Sequence, residues 1–279
     1  MAATPRRAVS DAPGIPVVLS IAGSDSGGGA GIQADLKAFA AAGVHGATAI
    51  TALTAQNTVG VTGVHPVPPG FVIEQVRAVA EDLGVDAVKI GMLGDAPVIE
   101  AVARALDELP PDTPVVVDPV MVAESGARLL PPDAEQALID LILPRATVVT
   151  PNIPEARALT RSAEDATAEE LARAVKQLGP DVVVVTGGHR DQATDVVWDG
   201  VRLVEIPGER HPDGAAHGSG CTHSSTLAAR LAHGDDPLDA ARAAKHAASE
   251  AVRNGLREVG AGAGPVDVLN VRAAVDALS

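Results

Sequence analysis

Short apolar runs alternate with longer segments of helical periodicity along almost the whole chain. Within the runs, apolar residues follow one another without an alternating polar face, which is typical of strands buried on both sides. Strands are therefore predicted at residues 17–21, 47–53, 87–90, 115–117, 147–150 and 182–186. Two further runs, 195–198 and 202–206, flank Asp199-Gly200 and predict an antiparallel hairpin.

Helical patterns separate most of these strands, and a glycine follows the last turn of several of them. Helices are predicted at 32–42, 71–83, 98–109, 134–143 and 168–178, and from Cys221 to about Ala232, with a mostly helical chain beyond it. This order predicts an α/β protein with helices on both faces of a mostly parallel sheet. Segment 54–70 contains no Asp or Glu and is predicted to form a small flap over the sheet edge.

The organisation along the chain predicts one domain. Residues 1–15 are rich in Ala, Pro and Arg and are expected to form a disordered tail. Residues 16–279 show no linker, internal repeat or low-complexity tract. We therefore expect 16–279 to fold as a single domain.

Composition narrows the choice of partners and of compartment. The formal charge of −15 argues against nucleic acid and anionic membranes as partners. No apolar run is long enough to span a membrane, and residues 1–15 lack the apolar stretch of a signal peptide. The single cysteine cannot form an internal disulfide, which fits a reducing cytoplasm. With only Phe39, Phe71 and Trp198 as aromatic residues, ring stacking cannot be a main binding device.

The residues that close each apolar run are the candidate site, because ligands of open α/β sheets bind beyond the carboxyl ends of the strands. These positions carry most of the glycine and polar residues of the chain. They read Ala22-Gly23-Ser24-Asp25, Gln56-Asn57, Gly91-Met92, Asp118-Pro119-Val120, Pro151-Asn152 and Thr186-Gly187-Gly188.

The glycine-rich segment SDSGGGAG, residues 24–31, follows the first strand and precedes the first helix. Its continuation GAGIQA matches the dinucleotide pattern G-x-G-x-x-A, but the acid expected about 20 residues later is missing. We interpret that match as accidental. A Walker loop is excluded, because no lysine here follows glycine and precedes Ser or Thr. Either the glycines admit a ligand close to the backbone, or the segment is an ordinary flexible turn.

Two acids at strand ends have a functional and a structural interpretation. Asp118 closes a buried strand, where it could bind a cation or cap nearby N–H groups. Asn152 and Glu155 have the N-x-x-E spacing of a capping box. Alternatively, Glu155 faces a phosphate-bound Mg²⁺ together with Asp118, since magnesium takes only one or two carboxylates.

Glycines at a third strand end have the same ambiguity. At Thr186-Gly187-Gly188 the backbone could hold a nucleotide phosphate or ribose, or it could form a tight turn. The pattern alone leaves both interpretations open.

The segment HGSGCT, residues 217–222, holds the only cysteine, just before a long helix. Unpaired N–H groups at a helix start bind anions, and the helix dipole should lower the pKa of Cys221 below about 8.5. The thiol could then accept a proton from an attacking hydroxyl, while the amides stabilise a phosphoryl group in transfer. The alternative is a small buried residue packed beneath the helix.

Seven motifs then occur together and in one order along the chain. The chain thereby resembles the hydroxymethylpyrimidine/phosphomethylpyrimidine kinases of thiamine biosynthesis, a branch of the ribokinase-like superfamily. Cysteine in the G-x-G-C form marks this branch and some pyridoxal kinases, whereas the wider superfamily usually has Asp at that position. The motifs are IAGSDSGGGAGIQADLKAF (21–39), ITALTAQNT (50–58), KIGML (89–93), VVVDPVMV (115–122), TPNIPEA (150–156), VTGGH (185–189) and HGSGCTHSS (217–225).

The resemblance implies a ribokinase-like three-layer α/β/α fold and an ATP- and Mg²⁺-dependent kinase. Its substrates would be 4-amino-5-hydroxymethyl-2-methylpyrimidine and then the monophosphate of that pyrimidine. The pyrimidine would lie on Gly23, with Gln56 hydrogen-bonded to its ring nitrogen and amine, and Met92 and Val120 along its apolar sides. Asp35 would bind beside the pyrimidine or help to hold the loop.

The resemblance also implies how the phosphates are held. Asp118 and Glu155 would organise Mg²⁺ and the ATP phosphates, and Thr186, Gly187 and Gly188 would bind the nucleotide. Gly218, Ser219, Gly220 and Cys221 would form the anion hole, with Cys221 near the reacting oxygen. A homodimer is expected, with segment 54–70 as a candidate dimer edge.

One departure from the family and two alternative functions follow from the same residues. Family members often carry lysine where this chain has Glu124, so the second transfer is less assured than the first, unless Arg128 compensates. A pyridoxal kinase would use the same chemistry, although Gln56 favours an aminopyrimidine. The third hypothesis is an inactive pyrimidine-binding regulator, against which the G-x-G-C loop and both acids argue.

Overall fold

The computed structural model describes residues 14–121, 130–187, 193–212 and 214–277. In this part of the chain nine strands form one sheet in the order β3-β2-β1-β4-β5-β6-β7-β8-β9. Strands β2, β1, β4, β5, β6 and β7 are parallel neighbours, whereas β3, β8 and β9 run antiparallel to theirs. The strands are Val17–Asp25, His45–Asn57, Gly60–Pro66, Ala87–Ile90, Val115–Val117, Val148–Val149, Val182–Val185, Asp195–Trp198 and Leu203–Ile206.

Nine α-helices, α1 to α9, lie in the same described part of the chain. Proline or a capping side chain occupies the start of several of them, as expected for helix N-termini. The helices are Gly31–Ala41, Pro69–Asp82, Ala96–Leu106, Pro132–Ala137, Ile153–Thr160, Ala168–Lys176, Ser219–Ala232, Pro237–Arg253 and Val271–Asp276.

Helices cover both faces of the sheet, so the α/β/α three-layer prediction is confirmed. On one face Val18 and Val116 of the strands pack against Phe39 of α1 and Leu227 of α7, with α8 also contributing. The other face carries the larger core, which α2, α3, α5 and α6 build against the opposite side of the same strands. Burial on both faces explains why the strands read as continuous apolar runs.

Most predicted elements agree with the structure, but β1 continues from the predicted end at residue 21 to Asp25, helix Ile153–Thr160 is not among the predicted helices, and the sheet edge and one helix differ. Residues 54–70 are not a loop, because β2 continues to Asn57 and turns directly into β3. The turn is held from a distant segment, since Gly262 N donates to Thr58 Oγ1 at 3.2 Å. The predicted helix 134–143 continues beyond α4 as a π-helical turn, Leu138–Ile142, and a 3₁₀ turn, Leu143–Arg145.

Some predictions concern residues outside the described ranges. These are the tail up to residue 13, Gly188, and the Glu124 and Arg128 pair. Among the described helices, none combines the length and the hydrophobicity that crossing a membrane requires.

Candidate active site

The glycine-rich loop after β1 and the start of α7 pack directly on each other. A Cβ added to Gly218 would lie 1.8 Å from the carbonyl oxygen of Gly29, so the two backbones are in contact. Gly218 is the N-cap of α7 and has a left-handed backbone, with φ of 87°. The structure therefore brings together the two glycine motifs, which stand almost 200 positions apart in the chain.

Asp25 fixes the shape of the glycine-rich loop. Its buried carboxylate accepts hydrogen bonds from the backbone N–H groups of Gly27, Gly29 and Ala30, at 2.7 to 3.0 Å. His217 Nε2 lies 3.2 Å from Asp25 Oδ2. Burial opposes ionisation of Asp25, but the His217 contact and these N–H groups outweigh it and lower its pKa. Asp25 is thus an anionic support of the loop, which sequence reasoning did not single out.

The residues expected to bind the pyrimidine share the ends of β1, β2 and β4. Met92 lies over Gly23, because a Cβ on Gly23 would be 2.3 Å from Met92 Cε. Ser26 Oγ bridges the backbone of Gln56 at 2.7 and 2.8 Å and so ties β2 to the glycine-rich loop. The side-chain Oε1 of Gln56 accepts from Thr54, and its Nε2 donates to no acceptor within the described residues. Val120 is half-buried beyond the end of β5.

Of the two roles expected for Asp35, direct contact with the pyrimidine is contradicted by the position of the residue. The residue is fully buried beneath the site. Lys89 Nζ donates to its Oδ1 at 2.8 Å, Ser225 Oγ to the same oxygen at 2.7 Å, and Ser20 Oγ to Oδ2 at 2.6 Å. Asp35 therefore joins α1, α7, β1 and β4 under the site instead of facing a ligand.

The first turn of α7 presents backbone amides beside Asp118. Among the described residues, no acceptor is recorded for the N–H groups of Gly220 and Cys221. Asp118 Oδ2 lies only 3.8 Å from where a Cβ on Gly220 would stand. The N–H of Ser219 does not belong to the anion hole as predicted, because it already donates to Ala216 O at 2.9 Å. The N–H groups of Gly220 and Cys221 are therefore available in the first turn of α7, and the N–H of its N-cap, Gly218, likewise has no acceptor among the described residues.

The thiol of Cys221 has a raised pKa, so the predicted thiolate is wrong. Burial raises its pKa to about 12, and the carboxylates of Asp35 and Asp118 add to the shift. Lys89 and a hydrogen bond from Gly31 N act in the other direction but do not outweigh burial. The half-buried Cys221 thus keeps its proton at neutral pH and cannot serve as the resting base.

Both interpretations of Glu155 are compatible with its position. The capping box is present, since Asn152 Oδ1 accepts from Glu155 N and Glu155 Oε2 accepts from Asn152 N, each at 2.9 Å. Burial, together with the neighbouring charge of Asp118, raises the pKa of Glu155 to about 8. Burial likewise raises the pKa of Asp118, although Lys89 and the hydrogen bond from Ser224 oppose the shift. Two desolvated, mutually repelling carboxylates suit a divalent cation, which would relieve both.

Gly187 does not present its backbone to a ligand, contrary to prediction. The residue is buried, and its N–H donates to Asp195 Oδ1 at 2.8 Å. Its neighbour Thr186 is half-buried and pairs with Asn152 across the sheet. The tight-turn interpretation is therefore the correct one for Gly187.

Lys89 is the main buried residue that sequence reasoning did not assign. Burial would lower its pKa, but Asp35 and its other acidic neighbours, Cys221 and Asp118, outweigh this effect and raise it. A signal was present, because the strand Ala87–Ile90 is otherwise apolar and buried. A lone lysine in such a strand requires a buried acid as partner.

Helix-start amides beside two buried acids, at the carboxyl ends of a mostly parallel sheet, define a small-molecule phosphotransferase with a ribokinase-like fold. The chain belongs to the phosphomethylpyrimidine kinase family, whose model matches residues 25–267.

Curated relatives and solved structures agree with this membership. The chain is 50% identical over 258 residues to a hydroxymethylpyrimidine/phosphomethylpyrimidine kinase of Rhizobium meliloti, covering 90% of this chain and 96% of the relative. It is 45% identical to the Bacillus subtilis protein of that name, and the match covers 89% of this chain and 93% of the relative. A Clostridium difficile phosphomethylpyrimidine kinase structure has a TM-score of 0.74 at 39% identity, covering 85% and 99%. Bacillus subtilis pyridoxal kinase in complex with ADP has a TM-score of 0.84 at 36% identity, covering 93% and 99%.

Proposed function

We propose that this protein transfers the γ-phosphoryl group of ATP to the hydroxymethyl group of 4-amino-5-hydroxymethyl-2-methylpyrimidine. It then transfers a second phosphoryl group to the resulting monophosphate, as the names of the curated relatives suggest. The observation that carries the proposal is the pair of unpartnered amides, Gly220 and Cys221, at the start of α7 beside Asp118. A phosphoryl group in transfer at that point would be stabilised by two N–H donors and by the positive end of the helix dipole.

The pyrimidine is proposed to bind between Gly23, Met92 and Val120. Gln56 suits an aminopyrimidine, because its amide offers one acceptor and one donor to a ring nitrogen and an exocyclic amine. Its Nε2 has no protein partner in the described part of the chain and so is available to a ligand. In this pose the hydroxymethyl group would point toward the start of α7, where the phosphoryl group is held.

Asp118 and Glu155 are proposed to hold Mg²⁺ bound to the ATP phosphates. Both carboxylates are buried, and the charge of Asp118 raises the cost of ionising Glu155, so a small hard cation would suit this donor set. When bound, Mg²⁺ would neutralise charge on the transferring phosphates. Thr186 and Gly188 remain candidates for the nucleotide side, whereas Gly187 is a buried turn residue.

The proton of the attacking hydroxyl can pass to an oxygen of the transferred phosphoryl group as the new P–O bond forms and the bond to ADP breaks, so no thiolate is required at the outset. Phosphoryl transfer passes through a loose transition state in which little covalent chemistry falls to the protein, so positioning and charge stabilisation dominate. Cys221 is therefore proposed to act first through its backbone N–H. Its protonated sulfur lies near the backbone N–H of Gly31, whose influence on the pKa of the thiol is outweighed by burial.

Pyridoxal phosphorylation is the second candidate function. Staphylococcus aureus pyridoxal kinase in complex with AMP-PCP and pyridoxal has a TM-score of 0.83 at 32% identity, covering 92% and 94%. Pyridoxal is also a flat heteroaromatic alcohol, so the same site could admit it. Gln56 favours the pyrimidine, since pyridoxal has no amine to pair with the acceptor oxygen.

Product analysis with ATP, Mg²⁺ and hydroxymethylpyrimidine tests the proposal. Chromatography should show the monophosphate first and the diphosphate later, with a parallel reaction on pyridoxal giving a lower kcat/KM. A matched pair of variants is Gln56→Leu, which should raise the KM for the pyrimidine, and Thr62→Val, a nearby surface change that should not. ATP consumption that never depends on either alcohol would refute the kinase assignment and restore the inactive-regulator hypothesis.

The proposed setting is a cytoplasmic homodimer. The β2–β3 hairpin ends the sheet, and three of its apolar residues are exposed: Leu53 of β2, Val59 in the turn and Val64 of the edge strand β3. A second copy of the chain could pair with this edge and cover these residues.

A further inference from the structure

Three consecutive residues of α7 each contact a different buried carboxylate. They are His223, Ser224 and Ser225, which follow directly on the candidate anion-binding turn. Ser224 Oγ donates to Asp118 Oδ2 at 3.1 Å, and Ser225 Oγ donates to Asp35 Oδ1 at 2.7 Å. Successive residues of an α-helix point about 100° apart, so the three side chains contact neighbouring elements in three different directions around the helix.

The third contact is the loosest. His223 Nε2 lies 3.2 Å from Asp195 Oδ2, but the two atoms are not aligned as a hydrogen bond. Lys245 Nζ contacts the other oxygen of Asp195 at 2.6 Å, and Gly187 N donates to that same oxygen at 2.8 Å. Asp195 therefore links His223 of α7 to Gly187, which follows β7, and to Lys245 of α8.

The Asp35 contact relates α7 to the strands that carry the candidate pyrimidine residues. Lys89 lies on β4, three residues before Met92, and Ser20 lies on β1, three residues before Gly23. Both side chains donate to Asp35, which Ser225 also contacts. All of these side chains are fully buried, so none of them can touch a ligand directly.

We infer that the triplet His223, Ser224 and Ser225 is a three-point mount that holds the amides of Gly220 and Cys221 in register with both halves of the site. The triplet and its buried carboxylate partner Asp35 act as positioning residues. This inference rests on the proposed function, because it assigns the mount to phosphoryl transfer at those amides.

The mount explains why three buried acids surround one helix. Hydrogen-bond donors stabilise a transferring phosphoryl group only if they point at the place where charge develops, and small displacements are costly. An α-helix held on one face alone could slide or rotate against the sheet. Contacts in three directions, one supported by the buried Lys89 and one by the half-buried Lys245, fix the first turn of α7 in a single position.

Ser225→Ala tests the mount, with Thr226→Val as its matched control. Thr226 is the next residue of α7 and is also buried, and its hydroxyl makes no hydrogen bond within the described residues. In Ser225→Ala, kcat should fall about tenfold or more while the KM values for ATP and pyrimidine change less than about twofold. Thr226→Val should keep the wild-type kcat. Equal kcat values for Ser225→Ala and the wild type would overturn the inference.

A charge-neutral double variant separates positioning from electrostatics. Asp35→Asn with Lys89→Met removes the buried ion pair but keeps an amide oxygen that can accept from Ser225. If the mount acts through that hydrogen bond, the double variant keeps kcat within about threefold of the wild type. A kcat as low as that of Ser225→Ala, with wild-type circular dichroism, would overturn the positioning role.

The outcome for the wild type separates this inference from the proposed function. If the wild type phosphorylates neither the pyrimidine nor pyridoxal, the proposed function fails and with it the purpose of the mount. If the wild type is active and Ser225→Ala is equally active, the function stands and only the mount fails.

Discussion

At the scale of single residues, the surroundings of a side chain decide its chemistry more than its sequence neighbours do. The helix start after Gly220 predicts a lowered pKa for Cys221, yet burial beside Asp35 and Asp118 raises it to about 12. These two acids are remote from Cys221 in sequence, and only the fold brings them close. The electrostatic effect of a helix end on a sulfur cannot be inferred without them.

We expect Cys221 to react slowly with iodoacetamide near neutral pH. Because the folded thiol loses its proton only near pH 12, the alkylation rate should rise about tenfold per pH unit from pH 7 to 10. The measurement needs no other thiol to be blocked, since Cys221 is the only cysteine. The same chain in denaturant is the control and should level off above about pH 8.5. A plateau near pH 8 in the folded protein would contradict the raised pKa.

Glu155 should make the protein less stable as the pH rises. Unfolded, it ionises near its ordinary value of 4.5, whereas folded it keeps its proton until about pH 8. Between these values the folded state binds more protons, so the free energy of unfolding falls with rising pH, by up to about 5 kcal/mol. Glu155→Gln removes this titration and should unfold at a higher temperature than the wild type at pH 8, with a smaller difference at pH 5.

The control for Glu155 is Glu170, which forms the same kind of capping box at the start of α6. Its pKa is lowered by hydrogen bonds from Thr167, and its side chain is exposed. Glu170→Gln should therefore give no stabilisation at pH 8. If both variants behave alike, burial of Glu155 beside Asp118 is not the cause. Loss of Mg²⁺-dependent turnover in Glu155→Gln alone would add that this acid is kept for function.

At the scale of elements, strand and helix positions follow from the sequence, whereas their contacts do not. Ala87–Ile90, Val115–Val117 and Asp195–Trp198 are predicted to the residue, because their apolar runs end at clear breaks. The hairpin partner Gly60–Pro66 is missed, since it is an exposed edge strand without an apolar face. The contact between the two glycine motifs is also beyond local reasoning, because it joins residues from distant segments.

Gly218→Ala should disrupt the junction of α7 and the glycine-rich loop. The added Cβ would meet Gly29 O at 1.8 Å, and the left-handed backbone adds strain. We expect a loss of about 3 kcal/mol or more in the free energy of unfolding and a more than tenfold fall in kcat. Gly234→Ala, just past the other end of α7, is the control, because its φ is 92° but no atom lies within 4 Å. It should cost only about 1 kcal/mol and leave kcat unchanged. Equal effects of the two variants would mean that the contact between α7 and the glycine-rich loop contributes neither to stability nor to activity.

At the scale of the whole molecule, one sheet carries the two groups of residues that we propose to face ligands, one on either side of α7. Gly23, Gln56 and Met92 belong to the β1, β2 and β4 side, and Glu155 and Thr186 follow β6 and β7. The sequence predicts the layers and the carboxyl-end location, because apolar runs and glycine punctuation specify both. It does not predict that β3 closes one edge of the sheet, since edge strands lack a buried face to pattern them.

The exposed edge strand β3 leads to a prediction about the oligomeric state of the protein. β3 pairs only with β2 within the described residues, so its outer backbone groups are available to a second copy related by a two-fold axis. Val64→Lys places a charge on this exposed strand and should convert a dimer to a monomer in sedimentation velocity runs. Val201→Lys, in the exposed β8–β9 turn, is the control and should sediment as the wild type does. A dimer that survives Val64→Lys would place the interface on another surface, and a wild type that is monomeric at every concentration would remove the dimer altogether.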